Sequence, residues 1–408
     1  PTFKTFGTNS IMLGSNSTGT INAADYNTAV STTAFAALTT GDFNVAFGEQ
    51  ALDALTTGGG NVAIGVATLG ALDTANNNTA VGMSAMTSNT SGTLNVGLGS
   101  DAMAINTTGS NNVAVGSLAL YANTTGVSNV AVGKSALTAN TTASNNTAVG
   151  YNAGTTFTTG FSNVVMGSGA MQSSTTGTYN VAIGVNALYQ ASSANDNTVV
   201  GRHAGYGQTT GDANTFIGYG AGNNQTTGGQ NTFVGANARG SAVDTNASIV
   251  LGYNTVGQGN YYTTLGSGAG SDRIYNNFSA NASWTRSSDS RYKEEITNNT
   301  DCGLSFINDL RPVTFKFKPL ADVDNTLPDY DASKTSRLYD NKMYGLIAQE
   351  VKQAMDDNNI TDFAGWDQGD NGIQGISQEM FVHPLIKAVQ ELSAKNDALE
   401  ARIAALES

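Results

Sequence analysis

The pentapeptide Asn112-Val113-Ala114-Val115-Gly116 decides the fold of most of this chain, because near copies of it recur every 17 residues. Asparagine holds the first position in 13 successive registers, from Asn27 to Asn231, and serine holds it at Ser10 and Ser248. Glycine fills the fifth position of every register except at Ser31. Fifteen registers without an insertion or deletion predict a solenoid in which each register is one structural unit.

Residue types within a register predict its local structure. The second position is β-branched, the fourth is large and apolar, and the residue between them is usually alanine. This alternation predicts a strand with two side chains on one face and the small one on the other. A second apolar pair, such as Ala119-Leu120, and a Thr-Thr-Gly turn follow. Each register is therefore predicted to hold two short strands and two turns.

One such coil buries its apolar face only by stacking, so we expect ladders of like residues along an axis. The asparagine column is expected to form amide ladders, and the alanine and glycine faces to admit the backbones of two sister chains. The phrases Asn-Val-Ala-Ile-Gly and Ser-Ile-Val-Leu-Gly resemble the head repeats of trimeric bacterial adhesins, which implies a trimeric parallel β-roll. At a strand spacing of about 4.8 Å, the rod would be about 70 Å long. A triple β-spiral, as in viral fibre shafts, is the alternative.

The alanine position changes in the late registers, to Val199, Phe216, Phe233 and Val250. We expect these residues to fill a wider interface between sister chains. The alternative is an aromatic grip for a ligand at a thicker distal end.

Composition excludes several classes of function. A net charge of −13 argues against nucleic acid as a partner. One cysteine, Cys302, excludes an internal disulfide framework, and two histidines, His203 and His383, exclude a metal site of usual ligand spacing. We predict no cofactor and no metal. Residues 1–4 carry no signal-peptide pattern, and no apolar run approaches membrane-spanning length, so neither export by its own signal nor membrane anchoring is expected.

A different kind of sequence begins at Ser288-Asp289-Ser290-Arg291-Tyr292-Lys293. Only 16 of the 287 residues before it are charged, against 33 of the 121 from Ser288 onward. A lysine whose pKa is lowered by burial or by like charge can deprotonate a serine hydroxyl, and Arg291 could supply such charge to Lys293. Taken alone, the hexapeptide fits a polar surface loop better than a nucleophile and its base. Its position at the composition boundary, and the sequence that follows, favour the nucleophile and its base instead.

The part beyond Lys293 is predicted to be a small α+β module. It should contain a helix over residues 303–310, a strand over 313–318 with Val313, Phe315 and Phe317 inward, a strand leading into a helix over 344–351, and a variable loop over 356–374. The tail carries an apolar stripe at Leu385, Val389, Leu392, Leu399, Ile403 and Leu406, with Asn396 completing a 4-3-4-3-4-3 spacing. This spacing predicts a coiled-coil helix over residues 384–408 in which Asn396 sets the register. A lone amphipathic helix packed on its own domain is the alternative.

Three stretches in order resemble the self-cleaving intramolecular chaperone domain at the C-termini of phage tail spikes and fibres, including endosialidases. They are the hexapeptide with its flanks, Leu-Arg-Pro-Val-Thr-Phe-Lys-Phe from Leu310, and Tyr-Gly-Leu-Ile-Ala-Gln-Glu-Val from Tyr344. With the tail, the resemblance covers residues 288–408. It implies that Ser288 is the nucleophile, that Lys293 is the general base, and that Asp289 and Arg291 hold the loop. It implies at most a single-turnover Ser-Lys autoprotease without an external substrate. Three outcomes stay open: the chaperone domain is cut and lost, it is cut and stays bound, or it is not cut.

The domains expected are an N-terminal attachment segment (residues 1–9), a mainly β shaft (10–262), a neck or distal tip (263–287) and the chaperone (288–408). The function expected is that of a homotrimeric phage tail fibre for host attachment, assembled in the host cytoplasm and located in the virion. Expected partners are other tail or baseplate proteins and a host surface receptor of glycan type, without nucleic acid or membrane.

One alternative is a trimeric cell-surface adhesin, against which the missing signal and anchor argue. Another is a glycan-degrading spike with a site between chains, although only 10 Asp and Glu precede Ser288.

Overall fold

The computed structural model describes residues 2–6, 8–14, 24–268, 273–277, 285–286, 294–325, 330–337, 342–368 and 372–407. The chain divides into two compact units, Pro1–Tyr292 and Lys293–Ser408. The described part of the first unit is built from strands and turns, and the second combines short strands with helices.

The N-terminal unit is a parallel β-solenoid with one strand per register. Strand β1 (Thr2–Phe6) pairs antiparallel with β2 (Ser10–Gly14), and fourteen strands of three residues follow at 17-residue intervals. They are β3 (Thr28–Val30), β4 (Val45–Phe47), β5 (Val62–Ile64), β6 (Thr79–Val81), β7 (Val96–Leu98), β8 (Val113–Val115), β9 (Val130–Val132), β10 (Thr147–Val149), β11 (Val164–Met166), β12 (Val181–Ile183), β13 (Thr198–Val200), β14 (Thr215–Ile217), β15 (Thr232–Val234) and β16 (Ile249–Leu251). Each pairs in parallel with its neighbours so that like residues lie side by side. The stacked solenoid is therefore confirmed, and the triple β-spiral is wrong because consecutive registers are hydrogen-bonded neighbours.

The two faces of each strand differ as the alternation predicts. In β8 the middle residue, Ala114, is fully buried, whereas Val113 and Val115 are half-buried. The buried side chain points into the interior of its own coil and belongs to the same apolar cluster as Leu120. The expectation that the alanine face meets sister chains is therefore wrong. A 17-residue coil has a narrow interior, and alanine is what fits there beside a leucine.

The second half of each coil consists of consecutive turns, not of the second strand that the sequence pattern predicts. After β8, Leu118 and Leu120 have φ values of 58° and 53°. These left-handed angles curl the chain and are incompatible with an extended strand. Leu120 is nevertheless fully buried, since the turn directs its side chain into the interior. One isolated bridge, between Arg239 and Val256, is the β pairing found in this half among the described coils.

The asparagine column forms the buried ladder that the repeat predicts. The backbone N–H of Asn112 donates to Oδ1 of Asn95 at 2.9 Å, and its side-chain Nδ2 donates to the carbonyl of Gly126 at 2.8 Å. Equivalent bonds recur from Asn44 to Asn231. Each side chain thus joins neighbouring turns and satisfies backbone groups that would otherwise be buried without partners.

The glycine column is required by both conformation and space. Gly116 has a φ of +131°, and a β-carbon added to it would lie 2.7 Å from the carbonyl carbon of Gly133 in the next coil. No other residue type combines this angle with so close an approach.

Larger side chains of the late registers also point into the coil interior and are fully buried. They are Val199, Phe216, Phe233 and Val250. Both interpretations offered for them, a wider interface and a ligand grip, are therefore wrong. Room for the Phe216 ring comes from the facing turns, where the position held by Leu188 becomes Gly205 and then Gly222 in the next two coils. The rings of Phe216 and Phe233 stack with centroids 5.1 Å apart.

The solenoid ends in antiparallel strands. Strand β17 (Tyr262–Gly266) still pairs in parallel with β16, although Thr263 reaches its partner Ile249 after 14 residues instead of 17. Strands β18 (Arg273–Asn277) and β19 (Thr285–Arg286) then continue the sheet antiparallel.

The C-terminal unit contains three α-helices and two small sheets within its described ranges. In chain order they are α1 (Leu304–Asp309), β20 (Val313–Phe315), β21 (Met343–Gly345), α2 (Ala348–Asp357), β22 (Trp366–Gln368), β23 (Gln374–Ile376) and α3 (Val382–Glu407), with 3-10 turns at Leu320–Asp322 and Gln378–Phe381. Strand β20 pairs antiparallel with β21, and β22 with β23. The predicted helix near residue 303 and the passage from strand to helix near residue 344 are confirmed. None of the described helices is long and apolar enough to cross a membrane.

Two local expectations for this unit are wrong. Phe317 is 54% exposed, because β20 ends at Phe315 and the chain no longer alternates against the core. Residues 356–374 are not a plain loop, because they include β22, whose Trp366 packs against the core cluster of the unit.

Candidate functional site

The hexapeptide that carries the predicted cleavage chemistry lies outside the described residues. The structure therefore does not describe Ser288, Asp289, Arg291 or Lys293. The distances between them and their roles in cleavage stay predictions. The strand before them, β19, ends at Arg286, and the exposed Glu294 is the next described residue.

The two internal stretches that carry the chaperone resemblance lie side by side. Strand β20 comes from the first stretch and β21 from the second, with Val313 opposite Gly345. The Arg311 guanidinium also holds the Glu350 carboxylate through two of its nitrogens, Nε donating at 3.0 Å and Nη2 to the other oxygen. Both side chains are exposed, so the pair contributes little stability. Its two bonds join the first turn of α2 to the chain entering β20.

Aromatic side chains form the core of this unit. Phe306 on α1 is fully buried and meets the ring of Phe363 edge-on at 5.5 Å, and Phe363 meets Phe381 at 5.1 Å. Val351 and Met355 on α2 belong to the same buried cluster. The core thus ties α1 and α2 to the turn from which α3 begins.

Helix α3 is also joined to α1 by a charged hydrogen bond. The carboxylate of Glu391 accepts the backbone N–H of Leu304 at 2.9 Å, where α1 begins without a side-chain cap of its own. This bond, with Lys387 nearby, holds the pKa of Glu391 below its usual value. A carboxylate here satisfies a free N–H and faces the positive end of the helix dipole.

Helix α3 presents the predicted heptad stripe on its exposed side. Val389 is 64% exposed and Leu406 is 80% exposed, and the other stripe positions are exposed as well. The side that packs on its own unit carries Pro384 and Ala388, which are buried. The apolar stripe is thus not used within the described part of the chain. Asn396, within the stripe, donates from Nδ2 to the carboxylate of Glu400 at 3.0 Å.

The lone cysteine belongs to the core. Cys302 is buried beside Phe306, and burial, with Asp301 next to it, raises the pKa of its thiol. A raised pKa disfavours the nucleophilic thiolate, so Cys302 is a packing residue. In the ranges that the structure describes, no group of three or more His, Cys, Asp or Glu could hold a metal ion.

The family described as the chaperone of endosialidase has a model that matches residues 288–360 of this chain. The match begins at Ser288 and includes α1, β20, β21 and α2, so it supports the chaperone domain predicted from the hexapeptide and the two internal stretches. It ends at Ile360, before β22, β23 and α3, and so covers less of the chain than the resemblance we described. No curated protein and no solved structure matches the chain.

Proposed function

We propose that this chain is the subunit of a homotrimeric phage tail fibre for host attachment, and that residues 288–408 align and trimerise the chains during folding. The observation that carries the proposal is the family match, which starts directly after the strands that end the solenoid. A chaperone segment placed C-terminal to a long repetitive shaft fits a folding role better than a catalytic one.

Two apolar surfaces support association of three copies. The first is the α3 stripe, whose two-in-seven spacing fits a parallel coiled coil and whose side chains are exposed in the single chain. The second is the outward face of the solenoid strands, where no register has a charged residue at either outward position. Phe47, Ile64 and Met166 on that face are 51%, 41% and 41% exposed. Exposed apolar side chains repeated along one face are typical of an interface.

The repeat itself explains why an alignment device is needed. Chains of this kind can pair with a slip of one register, because the outward strand positions carry the same kinds of residue again after 17 residues. Contacts between chains also stabilise the assembly late in folding, because distant segments must first be aligned at a cost in entropy. A C-terminal trimer with Asn396 in its seam would set one register before the shaft folds.

Self-cleavage would follow assembly. Lys293 would take the hydroxyl proton of Ser288, whose oxygen would attack the carbonyl carbon of a neighbouring peptide bond, with Asp289 and Arg291 holding the loop. The C–N bond would break as Lys293 returns the proton to the leaving amine, and water would then hydrolyse the ester on Ser288. Loss of the aligning segment would prevent an unfolded shaft from refolding and leave the assembled shaft kinetically stable.

Residues 1–9 would bind other tail or baseplate proteins of the virion, and the shaft or tip would bind a glycan-type receptor.

Sedimentation of the full chain and of a chain ending at Arg286 tests the folding role. We expect a trimer from the first and mostly aggregates from the second. A soluble, folded monomer from the shortened chain would overturn the chaperone proposal.

A further inference from the structure

Aromatic and cationic side chains gather on three consecutive coils near the C-terminal end of the shaft. The position directly after the glycine column holds Arg202 and, one coil later, Tyr219. The position five residues after the glycine holds Tyr189 and then Tyr206, whose rings stack with centroids 5.1 Å apart and planes 5° apart. His203 lies between these two columns, 5.4 Å from the Tyr206 ring and 6.4 Å from the Tyr219 ring.

Three of these side chains, His203, Tyr206 and Tyr219, line a groove of about 260 Å³, together with Gly220 and Asn223. The position after Tyr219 is glycine, which adds no side chain to the groove, whereas asparagine fills the same position at Asn186, Asn237 and Asn254. The ring of Tyr219 forms one exposed wall, with 52% of the residue accessible. A space of this size is near the lower limit of ligand pockets and suits one six-membered ring.

A cation lies over the ring of Tyr219, which is one wall of the groove. The Arg202 guanidinium carbon lies 5.8 Å from the centre of the Tyr219 ring. Among the described residues, no carboxylate lies within ion-pair distance of Arg202. A guanidinium stacked on an aromatic ring keeps its N–H edge available for a planar carboxylate.

We propose that this groove binds an acidic saccharide of the hexuronate type. A tyrosine face would stack on the C–H face of the sugar ring, the Asn223 amide would hydrogen-bond its hydroxyls, and Arg202 would hold its carboxylate by paired hydrogen bonds. An acidic peptide fits less well, because it offers a carboxylate without a flat C–H face for the ring. The inference rests on the proposed role in host attachment and names the chemical class of the receptor.

Titration of the full-length protein with D-glucuronate and D-galacturonate, followed by saturation-transfer NMR, tests the site. D-glucose and D-galactose are the matched neutral rings. We expect the acid sugars to bind at least about tenfold more tightly, because the difference is a charge-assisted bond. Arg202→Gln should abolish that difference, and Tyr219→Ala should weaken binding of every sugar. Gly220→Asn should close the groove with a residue that the fold accepts at this position in other coils.

Tyr151→Ala is the control, since Tyr151 occupies the same position of an earlier coil and is 54% exposed. It should leave the affinities unchanged. Equal binding of acidic and neutral sugars, equal loss in Tyr151→Ala, or no saturable binding of either acid sugar would overturn the site. The oligomeric state of the same sample separates the two proposals: a trimer that binds no hexuronate contradicts only the saccharide site.

Discussion

Gly222 leaves its side-chain space to the ring of Phe216: a β-carbon built on Gly222 would lie 2.6 Å from Cδ2 of that ring. Two coils earlier the same two positions hold Ala182 and Leu188, both fully buried. The interior of the solenoid thus keeps its volume while the large side chain moves from the turn to the strand.

This exchange predicts strong coupling between the two positions. Phe216→Ala should destabilise the shaft by about 3–5 kcal/mol, the usual cost of emptying a buried aromatic site. Gly222→Leu alone should also destabilise it, by about 1–3 kcal/mol from overpacking. The double variant restores the Ala-Leu pair and should recover most of the loss, as measured by guanidinium unfolding in a double-mutant cycle. Simple addition of the two losses would contradict the exchange.

The glycine column gives a second prediction. Gly116→Val forces a β-branched residue to a φ of +131° against the next coil, at a cost of about 1–3 kcal/mol per chain. The thermal midpoint and the soluble yield should both fall. Ser117→Val is the matched control, since valine occupies that position at Val66 and Val185. Equal losses of thermal midpoint and soluble yield in the two variants would show that the close approach of Gly116 to the next coil is not the cause of the loss.

Helix attachment in the C-terminal unit should depend on pH. The pKa of Glu391 is lowered in the folded chain by its bond to Leu304, so this stabilisation is present above the usual carboxyl value of 4.5 and is lost as the pH falls through the lower folded value. Glu391→Gln should reduce the hydrogen-exchange protection factor of the Leu304 amide at pH 7. The difference from wild type should shrink below pH 4.5. Glu407→Gln, exposed on the same helix, should change neither. A difference that stays constant to pH 3 would rule out the carboxylate as its cause.

Cleavage at the hexapeptide is tested on a denaturing gel. Wild type should yield a C-terminal fragment of about 120 residues. Ser288→Ala and Lys293→Ala should each leave one full-length band, because the nucleophile or its base is missing. Ser290→Ala should still be cut. A wild-type band that stays whole in a folded trimer would mean that the chaperone is retained uncut.

The sequence predicts those features of the shaft that a single residue type imposes. Asn112 and Gly116 reveal the stacked coil, because each repeats a bond or a backbone angle that few other residues supply. Alanine at position 114 is compatible with a coil interior and with an interface between chains. The sequence alone therefore could not show which of the two its side chain faces. Leucine at 120 gives no sign of its left-handed φ, which packing imposes against its own preference. Arg202 and Tyr219 become neighbours only through the 17-residue stacking, so their juxtaposition needed the fold.

The predicted site divides in the same way. The heptad stripe around Asn396 is read directly from spacing, and α3 exposes it. The bond between Glu391 and Leu304 joins residues 87 apart in the chain, and no local pattern announces it. Ser288 and Lys293 lie outside the described residues. The cleavage roles proposed for them therefore rest on the resemblance and on the family match that begins at Ser288, and not on geometry.

Native mass spectrometry of the Ser288→Ala protein tests the central claim most directly, because the chain then stays whole. We predict a single species of three times 41.9 kDa. Leu392→Asp in the same background should dissociate or aggregate, since it places a charge in the seam, whereas Ser393→Asp beside the seam should remain a trimer. A folded monomer of 41.9 kDa from the Ser288→Ala chain would contradict the account.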